Sequence, residues 1–396
     1  MASSTPNFDR PYEGLRVVDM SQGVAGPYCG MLLAQQGADV IKIEPSDGDW
    51  ARLLGPVYGG HTAFSIIANL GKRSVAIDLK QEPSQSVIDK LVAQADVFIE
   101  GFRPGVIDRL GYSYERMRAI NPRLIYVSVS GFGQTGPLSE RPAMDPVLQA
   151  FTGFMSENMG YDGLPHRSPV IMFDMSTALY AQQAVAGALY ARGSANQGRK
   201  IEVSLMEAAA SLQAVRLMSA TINGPFRLTT APSGTFQTQD GWLQMIIVKD
   251  RDFQKLCTVL NLPEWATDPR FQTNAKRFEH SELLTERVRT VFAGNTTEHW
   301  KRILVEAGLQ AEGIQSYPDF ANHEQTKAVG AIAWLTQTGL DKPWPVPNVP
   351  AGVKFEQGSP YATAPTIGQH TREVMAELGY EAESINELIA SRVISE

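Results

Sequence analysis

The sequence is poor in the residues that commit a chain to disulfide, metal or membrane chemistry. Its 396 residues hold two cysteines, Cys29 and Cys257, far apart and in no CxxC pair. They make no disulfide framework, and a reducing, cytoplasmic setting is the simple reading. The six histidines (His61, His166, His280, His299, His323, His370) are scattered, with no HExxH spacing, so no metal site is expected. No G-x-S-x-G elbow occurs. No apolar run is long enough to span a bilayer. Net charge is −7 at pH 7, which argues against general nucleic-acid or membrane binding. The opening "MASSTPNFDRPYEG" has no apolar core segment, so it reads as a short disordered arm rather than a secretory signal.

What is present is an ordinary globular composition, 43% hydrophobic and 19% charged, in a chain long enough for two or three structural units. The first part alternates strand and helix. "LRVVDM" (15–20), "ADVIKIE" (38–44), "ADVFIEGF" (95–102) and "PRLIYVSVS" (122–130) read as strands. Helices are expected at 26–37, 83–94 and 113–120, which implies βαβ units and a mostly parallel sheet. A long helix should run from Asp174 to about Arg192, apolar on every face and therefore buried. "GRKIEV" is a further strand, and Ser204 with Glu207 form a capping-box pattern for a helix over 204–221. Near 224 the texture becomes turn-rich. A hairpin through Asp240-Gly241 and charged helices at 250–260, 280–293 and 296–307 then mark a second, smaller domain. The expected division is 1–224 for a large domain, 225–325 for a small one, and 326–396 for a return to the large domain. That return begins with the proline-rich connection "DKPWPVPNVPAGVKF" and closes with helices at 369–378 and 382–391.

Three features carry chemistry. "GFGQTG" (131–136) matches G-x-G-x-x-G after a strand, but Pro137 and the polar "LSERPAMD" follow it where an apolar helix belongs. It reads as a tight glycine turn and not as a nicotinamide or flavin site. Lys42, Lys72, Arg73 and Arg103 fall near the expected C-terminal ends of strands or in the loops after them, where open parallel sheets bind ligands. They suit a polyphosphate or nucleotide-like cofactor, or else are solvated surface charge. Asp174 is the one formal charge in 169–191, "PVIMFDMSTALYAQQAVAGALYA". It can serve as a helix N-cap, as a carboxylate nucleophile kept ionised by the helix start, or as both.

Seven segments in order resemble the class III coenzyme A-transferase family. They are "GPYCGMLLAQQGADVIKIE", "NLGKRSVAIDLK", "DVFIEGFRPGVIDRLG", "NPRLIYVSVSGFGQTGP", "IMFDMSTALYA", "GRKIEVSLMEA" and "TIGQHTREVMAELGY". The resemblance implies a doubly wound, Rossmann-like α/β large domain with a smaller α+β domain, in an interlocked homodimer of two ring-like chains. It implies Asp174 as the nucleophile and coenzyme A contacts at Gln22, Lys42, Leu70, Lys72, Arg73 and Arg103, or their backbone. Acyl-CoA enters as substrate, with no permanently bound cofactor, metal or nicotinamide.

The chain departs from that pattern in three places. Gly101 stands where many relatives carry Asn, so one polar contact is absent. The lid region of relatives is glycine-rich, whereas here it offers only "TAPSGTF" with Gly234. Met144 stands where α-methylacyl-CoA racemases of the same fold use a histidine, and methionine relays no proton, which weighs against that alternative. A CoA-binding protein without catalysis is a further alternative. His166 and Arg167, shortly before Asp174, are candidates to pair with a second carboxylate, which points to a short dicarboxylate such as succinate. Arg167 as a structural ion-pair partner is the other reading, and Met144, Met155, Met159 and Met172 can equally shape an apolar pocket.

Overall fold

The structure, a computed structural model, describes residues 7–160, 162–224 and 230–396. It divides into two units: Met1–Ile222 with Lys327–Glu396, and Asn223–Thr326.

In the first unit the chain runs β1 (Arg16–Asp19), α1 (Ala25–Gln35), β2 (Asp39–Glu44), α2 (Ala63–Asn69), β3 (Arg73–Ile77), α3 (Pro83–Gln94), β4 (Val97–Glu100), α4 (Val106–Arg109), α5 (Tyr114–Ile120) and β5 (Ile125–Ser130). It continues through α6 (Asp145–Phe151), α7 (Phe154–Glu157), α8 (Met172–Ala195), β6 (Arg199–Ser204), α9 (Leu205–Leu212) and α10 (Ala214–Asn223). Six strands pair in parallel in the order β3-β2-β1-β4-β5-β6, the order of doubly wound nucleotide-binding sheets. Alternate residues feed opposite layers. Val18, Ile41 and Phe98 pack with Val87, Leu91 and Met117 of α3 and α5. Val17, Val40 and Val97 pack with Cys29, Leu33 and Val185 of α1 and α8. Because both faces are covered, the strands read as near-continuous apolar runs.

The second unit holds the antiparallel sheet β7 (Gly234–Gln237), β8 (Trp242–Ile246) and β9 (Gln310–Gly313). Before β9 come α11 (Asp250–Val259), α12 (Pro263–Thr267), α13 (Asn274–Glu279), α14 (Ser281–Phe292) and α15 (Thr297–Glu306), and after it α16 (Tyr317–Asn322) and α17 (Glu324–Ala328). Phe236, Met245, Phe253, Val288 and Phe292 form its core. The fully buried Arg277 donates to the carbonyls of Ala231 and Phe271 and pairs with Asp250 at 2.9 Å. The "TAPSGTF" stretch therefore enters this unit's framework, with Gly234 opening β7. Residues 225–229 of the turn-rich segment before it lie outside the described residues.

Back in the first unit, β10 (Ile332–Leu335) and β11 (Trp344–Pro347) form an antiparallel pair. The expected plain proline connection thus contains a strand, since Pro345 and Pro347 sit on a two-stranded ribbon with a free edge. The chain ends with α18 (Thr371–Glu377), α19 (Ala382–Ala390) and β12 (Ile394–Ser395), which pairs antiparallel with β3. Three more expectations are corrected. The arm packs from Tyr12 onward, with the Tyr12 N–H donating to the Gln36 carbonyl, while residues 1–6 lie outside the described residues. The helix expected over 204–221 breaks at Gln213 into α9 and α10. Helix α8 is not buried all round: Leu179, Tyr180 and Tyr190 are exposed, Tyr190 by 89%. An even apolar pattern cannot tell a surface covered within the chain from one left open by it.

Candidate active site

Strand β1 hands the chain toward β2 on one side of the sheet, and β4 hands it toward β5 on the other. Between them, at the C-terminal ends, such sheets leave a crevice. Here it is a cleft of about 490 Å³. Gln22, Val24 and Ala25 come from the loop after β1 and the start of α1, and Gly101, Phe102 and Arg103 from the loop after β4. Ser130 and Gly131 end β5, and Arg141, Ala143 and Met144 precede α6. Asp174 contributes the only carboxyl of the lining among the described residues. No helix follows the "GFGQTG" loop until Asp145, so its glycines serve a turn, with Gly133 and Gly136 at positive φ.

Asp174 is the third residue of α8, not its cap. Ile171 occupies the cap position, and no side chain of its own segment caps the helix. The cap comes from α6. The buried Asp145 carboxylate accepts the N–H groups of Phe173 (2.7 Å) and Asp174 (3.2 Å). Gln149, one turn on, donates to Asp145 at 2.6 Å and accepts the Ser168 N–H at 2.8 Å. Two buried side chains of one short helix therefore fix both the approach to α8 and its first turn.

The Asp174 carboxyl is half-buried and makes no side-chain hydrogen bond or ion pair among the described residues. Burial, with the Asp145 charge adding to it, pushes its pKa up to about 7. Sequence reasoning expected the helix start to keep it ionised, but the missing solvent and the second acid outweigh that. The starts of α1, α6, α8 and α9 all reach the cleft, through Ala25, Met144, Asp174 and Leu205. The α8 N–H groups of Phe173 and Asp174 are taken by Asp145, and the α9 N–H groups of Met206 and Glu207 by the Gly131 carbonyl and Ser204, so what these two helices bring to the cleft is their dipole rather than open donors.

Of the other expected site residues, the fold brings Gln22 and Arg103 to the cleft with Asp174. Lys42 is fully buried, its ammonium on Asp49 at 2.9 Å and on the Ser21 carbonyl. Lys72, equally enclosed, donates to Asp19 (2.7 Å), the Pro27 carbonyl (2.7 Å) and Asn69 (3.1 Å). Both support the β1 side of the cleft from behind. Leu70 is buried in the apolar cluster with Met31, Leu32 and Val346. Arg73 begins β3 and pairs with Asp39, Glu373 and Glu377 at the N-terminal edge of the sheet, away from the ligand edge. His166 pairs with Asp162 at 2.9 Å, and neither it nor the exposed Arg167 lines the cleft. Sequence reasoning missed Arg141, whose guanidinium lies over the Phe132 ring at 5.4 Å, and also Trp50, Ser130 and Asp145. Only the position of Asp145 two residues after a proline-bounded loop hinted at a helix start.

The sequence model of the family described as CoA-transferase family III matches residues 12–371. The chain is 37% identical over 338 residues to acetyl-CoA:oxalate CoA-transferase of Acetobacter aceti, covering 83% of this chain and 87% of that one. It is 32% identical to succinate–glutarate CoA-transferase of Agrobacterium fabrum, over 94% of this chain and 97% of that one. A crystal structure of a CaiB/BaiF family protein from Brucella suis superposes with a TM-score of 0.83 at 32% identity, covering 93% of this chain and all of that one.

Proposed function

The chain belongs to CoA-transferase family III, and from that premise we propose that it passes coenzyme A between two carboxylic acids through covalent acylation of Asp174. The observation that carries this reading is a carboxyl without a side-chain partner among the described residues, in a cleft that four helix starts reach. Ionised Asp174 attacks the thioester carbonyl of the donor. The C–S bond breaks, and the products are an aspartyl mixed anhydride and CoA thiolate. The thiolate attacks the aspartyl carbonyl, giving an aspartyl-CoA thioester and releasing the donor acid. The acceptor carboxylate displaces the thiolate to form a second anhydride, and the thiolate takes the acceptor's acyl carbon, restoring Asp174. Each step passes through an oxyanion, for which the start of α1, without a side-chain cap, is the nearest source of N–H donors. The apolar neighbours Val147, Leu205 and Met144 limit hydrolysis of the anhydride.

Gln22 and Arg103 contact the coenzyme A, Arg103 as a phosphate partner. The acceptor or donor acid is a short dicarboxylate. Relatives named for oxalate, succinate and glutarate support this, as does the cationic side chain of Arg141 on the Asp174 cleft. Met144 on the cleft in place of a proton-relaying side chain weighs against the racemase alternative. The working unit is a homodimer, in the interlocked arrangement that the family resemblance implies. Exposed Leu179 and Tyr190 on α8, and Val215, Met218 and Ile222 on α10, support a partner over this face.

The test is a screen of acyl-CoA donors and acceptor acids by mass spectrometry, with hydroxylamine trapping of acylated protein. The expected result is CoA exchange among C2–C5 dicarboxylates and a hydroxamate mapped to Asp174. Exchange that persists in Asp174→Ala overturns the reading.

A further inference from the structure

A second cavity, of about 330 Å³, opens beside the Asp174 cleft along the same sheet edge. Gln22, Trp50, Gly101, Phe102 and Arg103 line both. Four of them come from the loops after β1 and β4. Trp50 does not: it opens the short turn Trp50–Leu53 that follows β2.

That turn is tied to the β1 loop by one carboxylate. Asp49 accepts the Gly23 N–H at 2.9 Å and the Ala51 N–H at 2.9 Å, and pairs with the Lys42 ammonium at 2.9 Å. Lys42 also donates to the Ser21 carbonyl, so the segment 21–23 is held at two points. Gly23 has φ +83, and a Cβ built there would lie 2.3 Å from the Trp50 ring. The six-membered ring of the indole thus lies against bare backbone. Trp50 as a whole is 40% exposed, and the indole N–H makes no hydrogen bond among the described residues. Neither Lys42 nor Asp49 lines either cavity.

We propose that Trp50 is the substrate contact that grips the pantetheine arm where the two cavities meet, and that Lys42 and Asp49 are its positioning pair. This rests on the reading that acyl-CoA is the ligand. An indole offers a flat apolar face and one N–H donor. The pantetheine arm alternates methylene runs with two amide carbonyls, and it must thread between cavities if the thioester is to reach Asp174. A tryptophan held from behind presents that pair of features at little conformational cost.

The test uses the full-length protein and its Trp50→Phe, Trp50→Ala, Asp49→Asn and Lys42→Met variants, with Trp344→Phe as control. Calorimetry measures CoA binding, indole fluorescence reports Trp50, and steady-state kinetics separate KM from kcat. Wild type and Trp344→Phe should show a CoA-dependent fluorescence change that both Trp50 variants lose. Trp50→Ala should raise KM for acyl-CoA about tenfold with kcat within about threefold, and Trp50→Phe should recover most of that. Asp49→Asn and Lys42→Met should raise KM in the same direction, an effect that mere loss of stability would not produce. If either fails to fold, the Trp50 variants alone decide. Unchanged KM in Trp50→Ala, or a fluorescence change that survives Trp50→Phe, overturns the inference while transfer by the wild type leaves the functional reading standing. A wild type that neither binds CoA nor transfers it overturns both.

Discussion

Asp19 and Glu44, behind the β1–β2 wall of the cleft, and Asp174, on its α8 wall, are acids drawn away from water under opposite electrostatic conditions. Burial pushes Asp19 up, but the Lys72 and Lys42 charges and the hydrogen bonds from Lys72 and Ser21 outweigh it and hold the carboxyl below its ordinary range. Burial acts on Glu44 too and is outweighed by its hydrogen bonds and ion pair with Arg52, helped by Lys42 and Ser74. Asp174 has burial and a like charge against it, and no ion pair among the described residues. One wall satisfies its charges within the protein and becomes rigid. The other leaves a carboxyl unsatisfied, which is the condition a nucleophile needs.

The contrast breaks most sharply when each wall loses its acid. Asp174→Ala should lower kcat at least a thousandfold while CoA binding by calorimetry stays close to wild type. Asp19→Asn should do the reverse. It leaves the Lys72 ammonium buried beside a neutral amide, at a cost of about 3–5 kcal/mol by denaturant unfolding. Adding Lys72→Met to Asp19→Asn should recover much of that loss, because the pair goes together.

Acidity gives a smaller effect with a definite sign. With the Asp174 carboxyl at about 7, the proposed mechanism requires kcat/KM to rise as pH increases through neutrality, because a nucleophilic carboxyl must be ionised. Asp145→Asn removes the like charge yet keeps an acceptor for the Phe173 and Asp174 N–H groups, so the acid limb should move down by about one pH unit. An unmoved limb would detach Asp145 from the chemistry. Stability follows the same linkage. A carboxyl raised above its unfolded value penalises the fold once it ionises, so the penalty grows as pH climbs from its unfolded range through about 7. Asp174→Asn should accordingly raise the melting temperature at pH 8 and leave it nearly unchanged at pH 4. The smallest effect is at Gln149. Its replacement by Ala should cost about 1–2 kcal/mol and loosen segment 168–170, seen as faster hydrogen exchange there.

The same contrast separates what could be read in the sequence from what could not. Buried parallel strands such as "IYVSVS" announce themselves, because both faces must be apolar. Asp174 stood out as a charge in an apolar run. Asp145 did not, since an acid before a short helix is commonplace and its acceptance of N–H groups from another helix is a tertiary fact. Lys42, Lys72 and Arg73 looked like free cations because Asp49, Asp19 and Glu377 meet them only in the fold, Glu377 from three hundred residues away. The edge pair β10–β11 was hidden by prolines that a central strand would exclude. The open faces of α8 and α10 had no signature distinct from a core helix.

The pairing of Ile394 with Ile77 has a consequence for how the protein is made. The flank of β3 keeps unbonded backbone amides until residues 394–395 have been made, about three hundred residues after the strand itself. Throughout that interval the flank is a template for stray strands, and Ile394 and Ser395 are the residues that shield it.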